Sequence, residues 1–180
     1  MTIVGDRRLT LADFEKVVLD KNNVSLNQKA LDKVDACHEF LKKFAEEKVI
    51  YGINTSFGPM AQYKIADAKR VQLQYNLIRS HCSGMREIFG ETYVRSAMLC
   101  QLNTLMQGCS GVDRQIVELI LALINEGIYP VVFKHGGVGA SGDLVQLPHL
   151  VLGYIGEGEV LHQGEKRDCK ALLAEKISNL

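Results

Sequence analysis

The sequence predicts a mainly α-helical protein with a few short strands. Apolar residues recur at steps of three and four over residues 27–47, 91–107 and 113–125, the spacing that places them on one face of a helix. Thr10, followed three residues later by Asp13, has the spacing of a helix capping box. Runs with strand character are short by comparison, so helices dominate the expected fold.

In the first half of the chain, residues 2–4 are predicted as a strand, and Thr10 opens a helix that Asn22 and Asn23 end. The helix over residues 27–47 has an apolar stripe formed by Leu31, Val34, Cys37, Phe40, Leu41 and Phe44. The apolar run 49–53 predicts a strand or extended segment, and a further helix is expected over residues 65–83.

In the second half, glycines separate the helices over 91–107 and 113–125, and Gly127 closes the second one. Residues 129–133 predict a strand, residues 143–155 a helix, and residues 160–167 a hairpin around Gly164, before a last short helix. The helical stripes are expected to form the core: Val94, Met98, Leu102, Leu105, Ile116, Ile120, Leu123 and Ile124.

Composition and charge exclude several classes of protein. The 180 residues are 47% hydrophobic, enough for a core, and the 21 basic residues balance 21 acidic ones, so nothing favours nucleic-acid binding. No apolar run approaches the roughly 20 residues that span a bilayer, and the N-terminus lacks the apolar core of a signal peptide. A soluble, cytoplasmic protein without a membrane partner is therefore expected.

The five cysteines do not predict a disulfide framework or a metal site. They are odd in number, and no pair has the C-x-x-C spacing of a zinc or redox motif. They are expected to be reduced and mostly buried thiols.

The stretch 134–150 is the part of the chain that predicts chemistry, because four glycines flank one Ala-Ser pair within it. Residues 137–142 fit the dinucleotide pattern G-x-G-x-x-G, which needs a strand before it, a helix after it and then a second parallel strand. Pro148 falls six residues into the predicted helix, where it would remove a backbone hydrogen bond. The nucleophile elbow G-x-S-x-G fails, since Asp143 stands where its second glycine belongs.

Backbone cyclisation is the third interpretation of this stretch. The nitrogen of Gly142 is unhindered enough to attack the carbonyl carbon of Ala140 in a tight bend, closing a five-membered ring. Loss of water from that ring and from the Ser141 hydroxyl would leave a methylidene group conjugated to an imidazolone, a strong electrophile made from the chain itself.

Three blocks of sequence together resemble one family. Residues 136–150 (GGVGASGDLVQLPHL), 51–58 (YGINTSFG) and 73–81 (LQYNLIRSH) are similar to the signatures of the aromatic amino acid ammonia-lyases, in the same order and spacing. The resemblance runs from about residue 9 to about residue 165 and is closest to histidine ammonia-lyase. Family members are far longer, so residues 1–180 are expected to be an incomplete N-terminal portion of the long-helix-bundle fold. The central helical bundle would begin in the second half of the chain and continue past residue 180.

The resemblance implies a function and a set of site residues. A methylidene-imidazolone (MIO) would form autocatalytically from Ala140, Ser141 and Gly142, with no external cofactor and no metal, and Tyr51 would act as acid or base. The substrate pocket would be shaped by Gly58, Ser80, His81 and Leu144. The implied enzyme is a carbon-nitrogen lyase that works as a homotetramer on an aromatic L-amino acid.

The pair Ser80-His81 favours L-histidine, giving urocanate, because histidine ammonia-lyases commonly carry Ser-His at this site. Some bacterial tyrosine ammonia-lyases also carry it, so tyrosine or phenylalanine ammonia-lyase and aminomutase remain alternatives. Further site residues of the family come from later helices and neighbouring subunits, and this chain alone is therefore expected to be inactive. A non-catalytic fragment or interaction domain is the second alternative.

The chain departs from the family pattern at two turns. Ser56 replaces a glycine in the block 51–58, which adds a side chain to a loop that is expected to close over the substrate. Residues 84–88 lack the Gly-x-Gly-x-Pro pattern, since Arg86 stands at the second glycine position.

Overall fold

The computed structural model describes residues 1–63, 65–142 and 144–177, and within these ranges the chain is mainly helical. The α-helices are α1 (Leu11–Val18), α2 (Gln28–Glu47), α3 (Asp67–His81), α4 (Glu91–Leu105), α5 (Arg114–Glu126), α6 (Gln146–Tyr154) and α7 (Cys169–Lys176). The strands are β1 (Thr2–Val4), β2 (Val24–Leu26), β3 (Met85–Ile88), β4 (Ile128–Pro130), β5 (Phe133–His135), β6 (Glu159–His162) and β7 (Glu165–Asp168). The prediction of a mainly α protein with a few short strands is confirmed.

The strands form three small sheets at the edges of the helical layer. β1 pairs with β2 in parallel, β3 pairs with β5 antiparallel, and β4, β6 and β7 form an antiparallel sheet of three strands. β6 and β7 are the predicted hairpin around Gly164. The second sheet matters most for the site, because it joins the turn after α3 to the start of the glycine-rich stretch.

The hydrophobic core is centred on α4 and α5, which pack against each other, while α1 packs on α4. The predicted stripes largely form this core, and its least exposed side chains include Met98, Leu99, Leu102, Ile120, Leu123 and Ile124. Ile116 is an exception: it is exposed, and the neighbouring Val117 is buried instead.

One charged side chain lies inside this core. Arg95 of α4 is 3% exposed, and its guanidinium donates hydrogen bonds to the carbonyl oxygens of Val17, Asn22 and Ile124 and to the hydroxyl of Tyr129. Val17 and Ile124 lie in the last turns of α1 and α5, where carbonyl groups lack partners within the helix. Arg95 therefore holds the ends of two helices and β4 together through a single side chain.

Several local predictions are wrong. Residues 49–53 form no strand: residues 51–54 are a turn, in which Ile53 and Asn54 both donate to the carbonyl of Ile50. The side-chain amide of Asn54 donates to the carbonyls of Ala45 and Lys48 at the end of α2, and this bends the chain instead of extending it. β2 and β3 were not predicted.

The apolar stripe of α2 is only partly buried. Leu31 and Val34 are in the core, but the stacked rings of Phe40 and Phe44, with centroids 5.3 Å apart, are exposed, Phe40 by 63%. The second half of α2 thus presents an apolar face that no other described element covers.

All five cysteines are free, but the prediction that they are mostly buried is wrong. Cys169 is buried and burial raises the pKa of its thiol to about 11, whereas Cys100 and Cys109 are exposed and the other two are intermediate. In the described part of the chain, no group of three or more acidic, histidine or cysteine side chains is placed to hold a metal ion. None of its helices is both long and apolar enough to cross a membrane.

Candidate active site

Helix α3 is the frame on which the predicted site residues are arranged. It packs against α6, and Arg79 near its end forms an ion pair with Glu157 just after α6. The pair lowers the pKa of the Glu157 carboxyl and raises that of the Arg79 guanidinium. Ser80 and His81 occupy the last two positions of α3, where the sequence predicted them.

Two polar groups lie next to the Nδ1 of His81. Nδ1 is 2.9 Å from the carbonyl oxygen of Leu77 and 3.1 Å from the Ser80 hydroxyl, which itself donates to the same carbonyl over 2.9 Å. In the tautomer that donates from Nδ1 to Leu77, Nε2 is a hydrogen-bond acceptor.

The loop that carries Tyr51 is attached to α3 by a hydrogen bond from a side chain of the helix to the backbone of the loop. Gln74 donates from Nε2 to the carbonyl of Gly52 over 3.1 Å, which fixes the residue next to Tyr51. Gln74 and His81 are seven residues apart and so lie on the same face of α3, about 10 Å apart along its axis. The Tyr51 loop and the Ser80-His81 pair are therefore held two turns apart on one face.

Within this loop, Tyr51 and Gly58 are direct neighbours. The Gly58 N–H donates to the Tyr51 hydroxyl oxygen over 3.2 Å, and the ring of Phe57 stands edge-on to the tyrosine ring with centroids 5.9 Å apart. Tyr51 is 64% exposed. Ser56, which stands at a family glycine position, does not have a positive φ, so its side chain causes no backbone strain here.

The glycine-rich stretch leaves β5 and forms a short 3₁₀ turn, Gly139–Ser141, in which Ala140 is exposed. Gly142 follows in the left-handed region, with φ +75° and ψ +59°. Among the described residues, a Cβ added at Gly139 or Gly142 would meet no other group within 4 Å. A tight bend is what cyclisation of residues 140–142 requires, so the backbone conformation is compatible with the predicted ring.

The two ends of this stretch converge on Gly84, in the turn that follows α3. His149 of α6 accepts the Gly84 N–H at Nε2 over 3.1 Å, and its ring packs edge-on against Phe133 with centroids 5.1 Å apart. An ideal Cβ at Gly84 would lie 2.8 Å from both His149 Nε2 and Phe133 Cβ, closer than real contacts allow. At Gly136, whose φ is +120°, a Cβ would lie 3.1 Å from the Gly84 Cα.

His149 is the site-forming residue that the sequence reasoning missed. It is 6% exposed, and burial lowers the pKa of its imidazole. The signal was a histidine between apolar residues in the helix after the glycine-rich stretch, because a buried polar group needs a partner. The identity of that partner could not be deduced, since Gly84 is 65 residues away.

α6 begins later than predicted. Its first residue is Gln146, so Pro148 lies in the first turn, where the missing N–H has no helical partner to lose. The prediction that Pro148 lies six residues into the helix and removes a backbone hydrogen bond there is therefore wrong. The N-terminus of α6 lies five residues beyond Ser141, whereas the predicted start at residue 143 had placed it two residues beyond. Position 143 itself is outside the described residues.

The predicted site residues are thus held by a common frame but do not all touch one another. Among the described residues, no hydrogen bond joins Tyr51 or His81 to the glycine-rich stretch. Leu144 is about half exposed, and Val138 and Leu147 are exposed as well. The Tyr51 loop is held at Gln74 and the glycine-rich stretch at Gly84, so α3 and the turn after it connect both to the Ser80-His81 pair.

A family model, that of aromatic amino acid lyases, matches residues 9–178 of this sequence. The chain belongs to the aromatic amino acid lyase family. Histidine ammonia-lyase of Geobacillus thermodenitrificans is 38% identical over 167 residues, which are 92% of this chain and 33% of that protein. Tyrosine 2,3-aminomutase of Chondromyces crocatus is 40% identical over 177 residues, 98% of this chain and 33% of that protein.

Solved structures of the family have the same fold. Tyrosine aminomutase of Streptomyces globisporus superposes with a TM-score of 0.89 at 33% identity, covering 97% of this chain and 33% of that one. The chain thus spans about a third of the length of the relatives it matches.

The dinucleotide-binding alternative is excluded by the strand directions. A βαβ unit needs parallel strands on either side of its helix. The strand before α6 is β5, which pairs with β3 in the antiparallel sense, and β6, the strand after α6, pairs antiparallel with β4.

Proposed function

We propose that this chain contributes the electrophile and part of the substrate pocket of an ammonia-lyase, which eliminates ammonia from L-histidine to give urocanate. The observation that carries the proposal is the position of Gly84. It lies three residues after His81 and contacts both ends of the stretch that contains Ala140, Ser141 and Gly142. Gly84 therefore links the turn that follows the Ser80-His81 pair to the segment that would form the electrophile.

Ala140, Ser141 and Gly142 would form the MIO. Once formed, the MIO supplies an electrophilic carbon that activates the amino acid for loss of ammonia. The chain's own residues supply the rest: the exposed 3₁₀ turn presents the group, and the free surroundings of Gly139 and Gly142 leave space for the substrate.

Tyr51 would transfer a proton as acid or base. Its oxygen accepts the Gly58 N–H, which leaves the hydroxyl hydrogen free to be donated to another group. The exposed hydroxyl can then exchange a proton with the substrate, while the edge-on contact with Phe57 holds the ring in place. Gly58 thus serves the site through its backbone nitrogen.

His81 supports an imidazole or phenol as the substrate ring. With Nδ1–H bonded to Leu77, its Nε2 can accept a hydrogen bond from the N–H of histidine or from the O–H of tyrosine. Ser80 fixes the end of the helix through the same carbonyl, and Leu144 would provide an apolar wall. A phenylalanine ring offers no such donor, which makes it the poorest of the three substrates.

We further propose that residues 1–180 are the N-terminal portion of a longer, cytoplasmic, homotetrameric enzyme whose helical bundle begins in the second half of this chain. Two observations support this organisation: the relatives are about three times as long, and the apolar face of α2 at Phe40 and Phe44 is exposed. The remaining substrate-binding groups would come from outside this chain.

The test begins with the intact mass and the near-ultraviolet spectrum of the chain. A deficit of two waters, mapped to the peptide that contains residues 140–142, is the expected result, and an unmodified mass under folding conditions would contradict ring formation. Turnover is then measured with L-histidine, L-tyrosine and L-phenylalanine in a protein of full family length that carries these residues. Urocanate as the main product supports the proposal, and no preference for L-histidine would refute the substrate assignment.

Tyrosine aminomutase activity is the second candidate, because an aminomutase relative is as similar to this chain as the histidine ammonia-lyases are. The same turnover experiment distinguishes them. An aminomutase would convert L-tyrosine into β-tyrosine, whereas a lyase would release ammonia and an unsaturated acid.

A further inference from the structure

The contact between His149 and Gly84 has a geometry that goes beyond packing. His149 belongs to α6, which follows the glycine-containing segment 136–145, and Phe133 belongs to β5, which precedes that segment. Both side chains close on Gly84, which comes from neither element, so the two ends of the stretch meet on a third piece of chain.

The backbone contacts of Gly136 extend this arrangement. Its hypothetical Cβ would lie 3.1 Å from the Gly84 Cα, 3.4 Å from the Ser83 carbonyl oxygen and 3.4 Å from Val145 Cγ1. Gly136 is therefore wedged between the turn after α3 and the residue before α6. A shift of Gly84 would therefore remove the close contact that holds Gly136 in place.

The Gly84 N–H has one partner at this junction, His149 Nε2, and the acceptor must be unprotonated to receive it. The imidazole is buried and Gly84 is partly buried, so loss of this hydrogen bond would remove the partner of a backbone donor that water reaches only in part. The position of Gly84 thus depends on the acceptor nitrogen, in addition to the volume of the ring.

We propose that His149 is a positioning residue, which fixes Gly84 through Nε2 and thereby holds both ends of the ring-forming stretch 136–145. The inference rests on the proposed function in one respect, namely that the stretch held by His149 is the one that forms the MIO. The positioning itself is a property of the contacts and is testable without turnover.

The reaction that this positioning serves is ring closure. A bond forms between the Gly142 nitrogen and the Ala140 carbonyl carbon, and two waters leave. One water takes the Ala140 oxygen with the hydrogens of the Ser141 and Gly142 nitrogens, and the other takes the Ser141 hydroxyl with its Cα hydrogen. The step needs no external reagent, so its rate depends on how well the bend is held.

The experiment compares H149L, which removes the acceptor at similar volume, with H149Q, whose amide oxygen can accept in place of Nε2. H162Q is the matched control, because His162 lies in β6 and contacts the Gly127 carbonyl instead. Hydrogen exchange is measured by mass spectrometry for a peptide that covers residues 82–86, which contains the Gly84 N–H, and for one from α5, which reports global opening. We expect H149L to raise exchange of the first peptide at least roughly tenfold with α5 unchanged, and H149Q to restore it.

The proposal is overturned if H149L exchanges like the unmodified sequence, or if H149Q is as impaired as H149L. Should the α5 peptide show that H149L unfolds, H149F replaces it, because that ring still packs on Phe133 without an acceptor. Intact mass of the same samples separates this inference from the proposed function. A wild-type chain without the two-water deficit contradicts the function alone, and equal deficits at equal rates in wild type and H149L contradict the positioning alone.

Discussion

Replacing Arg95 with methionine tests the reasoning about the core most directly. The substitution keeps an unbranched side chain of similar length and removes all four hydrogen bonds that the guanidinium donates. Ile124 keeps a second donor, the N–H of Gly127, and the Tyr129 hydroxyl can reorient. The carbonyls of Val17 and Asn22 are the acceptors that lose their hydrogen-bond donor without gaining another from a described residue.

The expected loss follows mainly from the first of these carbonyls, because Val17 is buried whereas Asn22 is exposed and its carbonyl is open to water. A buried acceptor without a partner costs about 1–3 kcal/mol, so R95M should lower the free energy of unfolding by about 1–3 kcal/mol. Burial of the guanidinium without a carboxylate carries its own desolvation cost, which its removal recovers, and this favours the lower part of the range. The free energy of unfolding of R95K should lie between those of R95M and the unmodified chain, because one ammonium group cannot reach acceptors on α1, α5 and β4 at once.

The assay is urea unfolding followed by circular dichroism at a helix-sensitive wavelength, with R8M as the control because Arg8 is exposed. R8M should be within about 0.5 kcal/mol of the unmodified chain. If R95M were equally close, Arg95 would not hold the ends of α1 and α5, and the assignment of its role would be refuted.

Three further predictions address the turns and the site. Arg86 has φ +65° where the family pattern has glycine, so R86G should raise the free energy of unfolding by about 1 kcal/mol in urea, and an unchanged or lower midpoint would contradict strain at that residue. Because burial lowers the pKa of His149, this histidine binds a proton more readily in the unfolded chain than in the folded one, and the free energy of unfolding should fall as the pH drops through about 6.5 toward the lowered pKa. H149Q should lack this pH-dependent loss of stability. Parallel curves of stability against pH for H149Q and the unmodified chain would refute the prediction. S141A should show the mass calculated for its own sequence, without a two-water deficit, and an unchanged unfolding midpoint. In a protein of full family length it should lose nearly all turnover. A two-water deficit or retained turnover would contradict the role of Ser141.

Local sequence patterns predicted those elements whose stability comes from neighbours in the chain. Thr10 and Asp13 form the expected capping box, and Gly127 ends α5 in the left-handed conformation. Each of these depends on contacts within a few residues, which the sequence displays directly. The same is true of the hairpin around Gly164.

Predictions failed where distant contacts decide the local structure. The run 49–53 has strand composition, yet Asn54 binds the carbonyls at the end of α2 and turns the chain. β2 forms because β1 offers a partner some twenty residues earlier, and the short segment has little strand signal alone. Phe40 and Phe44 have the right spacing for a core, but only packing partners can bury them.

The sequence by itself determined the family and the mainly helical fold, and it led to the proposed chemistry-bearing residues, because all of these follow from residue types at fixed spacing along the chain. The tertiary structure decided how those residues are held. Gln74 fixes the loop of Tyr51 to α3, and His149 fixes the turn after α3 to the glycine-rich stretch. Both contacts join a side chain to a backbone group more than twenty residues away, and a backbone group has no residue type by which the sequence could reveal it.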